Sequence, residues 1–198
     1  MLRVIAGEAK GKKLYVPDLA SLRPTSDRVR EAMFDVLESR GLVRGSTVLD
    51  LFSGSGALGI EALSRGAAGV TFVEQDRKAV RAIEANLETT GYRDARHVEV
   101  VQSDALTWLE LHGHQLRDLA FADPPYGFAS WAVLLDHLGA RNVIVEHAVE
   151  LDGIGSYLVS RRYRYGGTLV TLLHFNPGAG DAAKAESPEA TDPDKDIT

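Results

Sequence analysis

The run from Val48 to Gly59 constrains the fold of this chain more than any other stretch of its sequence. It begins with Val48-Leu49-Asp50-Leu51-Phe52, which is mostly β-forming, and ends in helix-forming residues from Ala57 onward. The pattern predicts a buried strand, a glycine turn and a helix that begins near Ala57. Glycines at positions 54 and 56 permit positive φ and leave no Cβ between backbone and ligand. We therefore expect a small molecule to bind against this turn.

The charge beside the turn narrows the kind of ligand. The spacing Gly54-x-Gly56-x-x-Gly59 fits the dinucleotide fingerprint. However, Asp50 stands at the end of the strand before the turn, and a negative charge there disfavours a pyrophosphate. S-adenosylmethionine has no phosphate, and its ammonium and sulfonium groups are attracted to a carboxylate. The sequence favours S-adenosylmethionine over a nicotinamide dinucleotide.

From residue 46 the chain alternates between strand-like and helix-like segments. Predicted strands cover 46–52, 70–74, 98–101, 118–122 and 143–146, and predicted helices cover 57–65, 76–90, 105–112 and about 129–138. This alternation of apolar strands with helices indicates a parallel sheet covered on both faces. Residues 156–163 and 168–175 predict a closing antiparallel hairpin. We expect a Rossmann-like α/β fold with a mostly parallel, seven-stranded sheet.

The residues before this unit predict an extension and a helix. Segments 2–6 and 12–17 are strand-like and flank a basic turn, so we expect an N-terminal β-hairpin extension. A helix that begins at residues 25–27 runs to about Arg40. Its apolar stripe is predicted from Val29, Ala32, Met33, Val36 and Leu37, and Arg28 and Arg30 fall largely off that stripe.

Length and composition predict one domain with short appendages. The boundaries divide the 198 residues into a hairpin extension at 1–22, a catalytic domain at 23–176 and an acidic tail at 177–198. The tail has Ile197 as its single large aliphatic residue, so we expect it to be disordered.

Several site classes are disfavoured by composition. The chain has no cysteine, and no run approaches the ~20 apolar residues of a membrane span. No secretory signal follows the first residues, so we expect a cytoplasmic protein that acts without a membrane, and a monomer. His112 and His114 are two residues apart on a predicted helix and have no companion ligands, so we expect no metal site.

The distribution of charge points to a polyanionic partner, although the net charge is −6. Residues 1–30 carry a net charge of +4, and residues 176–198 carry −4. Local potential governs binding to a polyanion, so the basic N-terminal part predicts a nucleic-acid surface. Arg161, Arg162 and Arg164 alternate with tyrosines and fit either an RNA surface or a solvated edge equally well.

Four acids stand at the ends of the first four predicted strands: Asp50, Glu74, Asp104 and Asp123. Ligands of open α/β sheets bind beyond these ends. Glu74 is in position to accept both hydroxyls of a ribose, and Asp104 can accept from an adenine amino group. Glu74 and Asp104 can each also be explained as a helix N-cap.

The tetrapeptide Asp123-Pro124-Pro125-Tyr126 carries the predicted chemistry. Its prolines fix φ and remove donors, so the loop presents acceptors. The Asp123 carboxylate and the Pro124 carbonyl can each accept a hydrogen from one exocyclic amine, and Tyr126 offers a ring for stacking. The sulfonium cannot reach such an amine inside a helix, so the base must be flipped out or unpaired.

This order of motifs resembles class I S-adenosylmethionine methyltransferases that act on amino nitrogens. The flanking sequences are similar to the RsmD family at Arg3-Val-Ile-Ala-Gly, Gly11-Lys-Lys-Leu, Arg23-Pro-Thr-Ser-Asp-Arg-Val-Arg-Glu-Ala-Met-Phe34 and Arg164-Tyr-Gly-Gly-Thr168. The resemblance spans residues 3–175. It implies methylation of the guanine N2 of one nucleotide in 16S ribosomal RNA, within an assembling small subunit or on naked RNA.

The motifs and the resemblance together give three sets of predicted site residues. The catalytic residues are Asp123, Pro124 and Tyr126. The residues for S-adenosylmethionine and its product S-adenosylhomocysteine are Asp50, Phe52, Ser53, Gly54, Gly56, Glu74, Gln75, Asp104 and Ala105. The RNA-binding residues are Arg3, Lys10, Lys12, Lys13, Arg23, Arg28 and Arg30.

Two departures and three alternatives remain open at this point. Gly167 stands where the family signature has an acid, and the acidic tail has no counterpart in the family pattern. The same acceptors would also serve adenine N6 in DNA or RNA. A nicotinamide-dependent dehydrogenase and a non-catalytic RNA-binding module with this fold are alternatives of other classes. Asp50 disfavours the first of these, and the intact Asp50 and Asp123 disfavour the second.

Overall fold

The fold is described by a computed structural model for residues 2–18, 27–125, 127–147, 155–165 and 168–178. The helices are α1 (Asp27–Ser39), α2 (Ala57–Ser64), α3 (Arg77–Thr90), α4 (Ala105–His112) and α5 (Trp131–His137). The strands are β1 (Thr47–Leu51), β2 (Gly69–Glu74), β3 (Val98–Gln102), β4 (Arg117–Ala122), β5 (Ala140–His147), β6 (Tyr157–Tyr165) and β7 (Thr168–Phe175).

All seven strands belong to one sheet, in the order β3-β2-β1-β4-β5-β7-β6. Strands β1 to β5 pair in parallel, whereas β7 lies antiparallel between β5 and β6. The mostly parallel sheet and its closing antiparallel hairpin confirm the predicted α/β class. The order reverses at β1, which lies between β2 and β4, and this reversal creates the crevice where such folds bind ligands.

Alternating side chains divide the core between the two faces of the sheet. Val48 of β1 packs on one face with residues of α1, α2 and α3, and Leu49 packs on the other with residues of α4 and α5. Successive strand residues point to opposite faces, so strands that are apolar throughout bury both sides. The predicted three-layer arrangement is therefore confirmed, and predicted element boundaries shift by a few residues. The largest shift is at β5, which begins at Ala140 instead of 143.

The N-terminal arm, residues 2–18, differs from the predicted hairpin. Its two sides pair antiparallel at Arg3 and Lys13, and three backbone hydrogen bonds join residues 2–4 to residues 11–14, but neither side continues as a regular strand. The reason is that several arm backbone groups bond to side chains of the helices. Glu61 of α2 accepts from the amides of Ile5 and Ala6 at 2.8 and 3.0 Å. The antiparallel pairing of the predicted hairpin is therefore present, but it is limited to residues 2–4 and 11–14 and is shorter than the predicted segments 2–6 and 12–17.

The arm is nevertheless an integral part of the core. Leu2, Val4, Ala9 and Leu14 are buried in the same cluster as α1 and α2. Ser64 of α2 accepts from the Ala9 amide at 3.0 Å and so anchors the arm's turn. The arm therefore adds to the hydrophobic core instead of projecting from it.

A buried ion-pair network joins the arm, α1 and α2, and it corrects one predicted role. Arg30 is 1% exposed, donates to the Arg3 carbonyl, and lies 3.0 Å from Asp27 and 3.9 Å from Glu61. Glu61 is fully buried and also pairs with Arg65 at 2.8 Å. The prediction that Arg30 lies off the buried face and binds RNA was therefore wrong, since its guanidinium is enclosed by the protein.

The buried face of α1 is correspondingly different from the predicted stripe. Arg30, Met33, Phe34 and Leu37 are its buried residues. Phe34 packs against Phe121 of β4, with ring centroids 5.6 Å apart. The predicted Val29 and Val36 are only partly buried.

Some predictions concern residues outside the described part of the chain. These are the boundary at residue 22, Arg23, Tyr126, the departure at Gly167 and the tail beyond residue 178. Among the residues that are described, none of the helices combines the length and apolar character needed to cross a membrane.

The Glu61 network predicts a large effect on stability. Changing Glu61→Ala leaves Arg30 and Arg65 buried without their shared carboxylate, so we expect a loss of roughly 3–5 kcal/mol in the free energy of unfolding. Urea denaturation measures this loss. Glu110→Ala is the matched control, because Glu110 is exposed on α4, and it should change stability by less than about 0.5 kcal/mol. Equal effects of the two variants would contradict the proposed importance of the network.

Candidate active site

The glycine turn follows β1 and carries the geometry that the sequence predicts. Phe52 adopts φ of 56°, which is uncommon for a residue with a side chain. Gly54 and Gly56 have φ of 55° and 76°, and Gly56 is the N-cap of α2. The Ser53 hydroxyl bonds to the carbonyls of Asp50 and Val73, so it ties the turn to β1 and β2. The turn is thus held by its own side chains.

Asp50 fixes the start of α2. Its carboxylate is 2% exposed, and Oδ2 accepts from the Gly59 amide at 2.9 Å. Glycine is required at position 59, because a Cβ there would lie 2.3 Å from the ring of Phe72. Gly59, the third glycine of the pattern, therefore permits close packing of α2 on β2, and its amide donates the hydrogen bond that Asp50 accepts.

Glu74 connects the end of β2 to the same turn. Its Oε2 accepts from the Gly54 amide at 2.9 Å, and its Oε1 accepts from the Asp76 amide at 2.8 Å. Asp76, and not Glu74, is the N-cap of α3. Each carboxylate oxygen has a second lone pair, so Glu74 can still accept from the hydroxyls of a ligand.

Asp104 is the N-cap of α4. Its Oδ1 accepts from the Thr107 amide at 3.0 Å, which is the alternative role considered for it. Its neighbour Ala105 is buried in the core, and Gln75 is exposed beyond the end of β2. The proposed contacts of Asp104, Gln75 and Ala105 with a ligand stay predictions.

The four acids converge at one edge of the sheet. The carboxyl ends of β3, β2, β1 and β4 are consecutive there, with Leu51 paired to both Val73 and Ala122. Burial raises the pKa of Asp50 well above its ordinary value, the hydrogen bond from Gly59 opposes this rise, and the carboxylates of Asp123 and Glu74 add to it. The edge therefore has a surplus of negative charge that a cation would relieve.

The loop after β4 brings the predicted amine acceptors to this edge. Asp123 and Pro124 are partly buried and directly follow Ala122, the last residue of β4. The loop then turns, with the Phe128 amide donating to the Pro125 carbonyl at 3.1 Å.

Two aromatic residues that sequence reasoning missed support this loop. Phe128 contacts Phe52 of the glycine turn edge-to-face at 5.4 Å, and Trp131 contacts Phe128 at 5.0 Å. The two loops are therefore joined by packing. The sequence feature that could have identified them is the close spacing of Phe128 and Trp131 after Tyr126. This spacing indicates an aromatic cluster only if the loop after β4 folds back onto the glycine turn.

The predicted RNA-binding residues are only partly brought together. Arg3, Lys10, Lys12 and Lys13 are exposed on the arm, and Arg28 is exposed on α1. Arg3 also pairs with Asp27 at 3.6 Å, and Lys12 donates to the Thr90 carbonyl at the end of α3. Most of this set thus forms a basic surface on the arm and α1.

Strand β6 carries the second basic candidate. Arg161, Arg162 and Arg164 are exposed on this edge strand, and the Arg161 guanidinium lies 5.9 Å from the ring centre of Tyr163. This arrangement leaves both interpretations of the strand open.

The donors and acceptors at the edge determine which ligands fit. Within the described ranges, no group of three or more histidines, cysteines or acids is placed to hold a metal ion. The converging carboxylates suit a ligand with positive charge, hydroxyls and amino groups, and they repel phosphates. These are the properties of S-adenosylmethionine, so the residues fit this group.

Comparison with known proteins gives one matching family model. It is described as Conserved hypothetical protein 95, and it matches residues 2–152. The match covers the arm, the glycine turn and the loop after β4.

Two curated relatives differ in how much of their length is matched. "Ribosomal RNA small subunit methyltransferase D" of Escherichia coli (strain K12) is 45% identical over 125 residues, 63% of this chain. The chain spans 60% of the length of that relative. "Putative rRNA methyltransferase YlbH" of Bacillus subtilis (strain 168) is 34% identical over 185 residues, which cover 86% of this chain and 97% of that protein.

A solved structure agrees with the fold. "Putative methyltransferase yhhF from Escherichia coli" superposes with a TM-score of 0.76 and 34% identity, over 88% of this chain and 98% of that one.

The raised pKa of Asp50 predicts a pH-dependent cost to stability. A carboxyl whose pKa is higher in the folded state stabilises the protein fully below its unfolded pKa, about 4, and loses that contribution as pH rises through the folded value. Asp50→Asn keeps an acceptor for the Gly59 amide but removes the charge. We expect the variant to gain stability over wild type as pH rises from about 4 to neutrality. Urea denaturation across that range measures the difference, and a difference that does not change with pH would contradict the assignment.

Proposed function

Because this chain belongs to the RsmD family of methyltransferases, whose model is described as Conserved hypothetical protein 95, we propose that it methylates the exocyclic N2 of a guanine in 16S ribosomal RNA. The observation that carries the proposal is the adjacency of two loops. The acidic glycine turn after β1 and the Asp123-Pro124 acceptors after β4 follow neighbouring parallel strands. A methyl donor and an amine can therefore be held side by side.

The glycine turn and its acids form the proposed cofactor site. Bound S-adenosylmethionine supplies a methyl group on a cationic sulfonium, which is already a strong electrophile. Asp50 and Asp123 provide the negative field for this charge, and Glu74 accepts from the ribose hydroxyls. Gly54 and Gly56 let the backbone approach the ligand. Phe52, Ser53, Gln75, Asp104 and Ala105 complete the proposed set.

Asp123 and Pro124 orient the target amine. The carboxylate and the carbonyl each accept one hydrogen of the same NH2 group, which aims the nitrogen lone pair toward the methyl donor. Positioning of this kind can supply most of the acceleration when the electrophile is already reactive. Tyr126 is proposed to stack on the base, which must leave its helix to reach the site. The support for these roles is the position of the loop next to the turn.

The arm and the start of α1 form the proposed RNA surface. Arg3, Lys10, Lys12, Lys13 and Arg28 concentrate positive charge on an acidic protein, and Arg23 belongs to the same proposed set. Their expected partner is the phosphate backbone, whose neutralisation makes affinity depend on salt. Assembly into a small subunit, a monomeric state and a cytoplasmic location are part of the same proposal.

The experiment that tests the function identifies the methylated nucleoside. The purified protein is incubated with S-adenosylmethionine and with 16S RNA from a strain that lacks it, either naked or in small subunits, and the RNA is digested for mass spectrometry. One additional N2-methylguanosine is the expected product. N6-methyladenosine would replace the proposal with the adenine alternative, and the absence of any methylation on both substrates would contradict it.

Removing the amine acceptor should affect turnover more than binding. In Asp123→Ala the carboxylate that orients the amine is removed, so we expect kcat to fall by a factor on the order of 10² or more. The affinity for S-adenosylhomocysteine, measured by calorimetry, should change much less. Asp136→Ala, an exposed acid on α5, is the control and should leave both unchanged. Retained turnover in Asp123→Ala would exclude the orienting role.

A further inference from the structure

Tyr15 is an exposed aromatic residue on a fixed backbone. Its side chain is 61% exposed, although nearly all of the arm's other large apolar side chains are buried or partly buried. The Asn86 side chain of α3, 1% exposed, bonds to both backbone groups of Tyr15. Oδ1 accepts from the Tyr15 amide at 2.7 Å, and Nδ2 donates to the Tyr15 carbonyl at 2.8 Å. The ring is thus presented to solvent from an ordered position.

An open cavity of about 400 Å³ lies beside this ring. Tyr15, Pro17 and Asp18 of the arm form one wall, and Lys78 and Arg81 of α3 form the other with two alanines. The α3 residues that line the cavity, Lys78, Arg81, Ala82 and Ala85, occupy positions i, i+3, i+4 and i+7 and so share one face of the helix. The alanine side chains are small and leave room for a flat ring beside Tyr15.

The charges around the cavity favour an anion next to a ring. Lys78 and Arg81 are both exposed, and in the part of the chain that the structure describes neither forms an ion pair with an acid. Asp18 is the acid that lines the same cavity. Two cations therefore outweigh one acid next to an aromatic surface. An aromatic platform beside backbone-binding cations is how proteins bind unpaired nucleotides without reading their sequence.

The position of the cavity connects the arm to the active edge, by which we mean the carboxyl ends of β1 to β4 with Asp50, Glu74, Asp104 and Asp123. Lys12 contacts Thr90 at the carboxyl end of α3, Tyr15 contacts Asn86, and Pro17 and Asp18 line the cavity with Lys78. The arm thus runs along α3 toward the helix start, which directly follows the end of β2. Asn86 Nδ2 also donates to the Ser55 carbonyl of the glycine turn at 2.9 Å. Asn86 therefore links Tyr15, in the wall of the cavity, to the glycine turn of the proposed cofactor site.

We propose that Tyr15, Lys78 and Arg81 bind one unpaired nucleotide of the substrate RNA, distinct from the nucleotide that is methylated. Its base stacks on the Tyr15 ring, and its phosphate contacts Lys78 and Arg81. The contact holds the strand close to the turn while the target base enters the site beside Asp123. The identity of the RNA rests on the proposed function, whereas the nucleotide contact rests on this cavity.

Substitutions of Tyr15 test the stacking. Binding of fluorescently labelled RNA, carrying the methylated region with its unpaired nucleotides, is measured by anisotropy. Tyr15→Ala removes the ring on which the base stacks, so we expect this variant to bind the RNA about tenfold more weakly than wild type. Tyr15→Phe keeps the ring and should retain wild-type affinity. Leu111→Ala removes an equally exposed apolar side chain on α4 and should have no effect. Unchanged affinity in Tyr15→Ala, or an equal loss in Tyr15→Phe, would overturn the proposal.

The two cations are tested by salt dependence. The double variant Lys78→Ala/Arg81→Ala should flatten the slope of log affinity against log salt by about 0.7 for each phosphate that it no longer neutralises. The matched control is Arg96→Ala/Arg117→Ala, whose side chains line a different cavity at the amino ends of β1 and β2. An unchanged slope in the first pair, or an equal change in both pairs, would contradict the binding of phosphate by Lys78 and Arg81.

Two further measurements separate this inference from the proposed function. Thermal melting and S-adenosylhomocysteine affinity should be unchanged in Tyr15→Ala, since its ring is exposed and its backbone bonds remain. If the wild-type protein neither binds nor methylates the RNA, the proposed function fails and the cavity loses its proposed ligand. If the wild type methylates the RNA and Tyr15→Ala binds it equally well, the cavity proposal alone fails.

Discussion

The buried carboxylate of Glu61 joins the arm, α1 and α2, and the geometry of the active edge depends on it. It accepts from two arm amides and pairs with Arg30 and Arg65, and all three charged side chains are buried. Burying charged side chains costs free energy, and this cost is offset only while each buried charge keeps its partners of opposite sign. Because α2 begins at the glycine turn, the network that positions this helix also positions the turn.

Buried acids also accept from backbone amides at the active edge, but there they raise the free energy of the ligand-free protein. Asp50 and Glu74 accept from backbone amides of the turn, so each fixes local geometry before any ligand binds. Unlike Glu61, however, these acids face one another and Asp123, and burial raises the pKa of Asp50. Their mutual repulsion is a cost to the free protein. A cationic ligand offsets this cost, and the edge is accordingly suited to a sulfonium and an ammonium.

The sequence predicted those features that depend on local pattern. Alternating strands and helices gave the layers of the sheet, and the acids at strand ends marked the edge where ligands bind. Arg30 was misassigned because its partner Glu61 lies 31 positions away, and residue type alone places an arginine on the surface. The arm strands were predicted too long for a related reason: several of the arm's backbone groups bond to Glu61, Ser64 and Asn86, which no pattern within the arm reveals.

If the proposed function holds, the course of the arm along α3 accounts for the attraction of RNA by an acidic protein to the carboxyl ends of its parallel strands. A helix of 14 residues is about 20 Å long. Lys12 lies at one end of α3, Tyr15 lies along it, and Lys78 lies at the other end, which follows the end of β2. Positive charge is therefore distributed along a path and not concentrated at one point. Since long-range attraction is screened within about 10 Å at 0.1 M salt, such a path keeps a bound strand within reach of a cation all the way to the edge. On the opposite face, α4 exposes Leu111 and α5 exposes Val133, and these side chains offer no comparable attraction to a phosphate backbone. The RNA is therefore expected to approach from the side of the arm and α3.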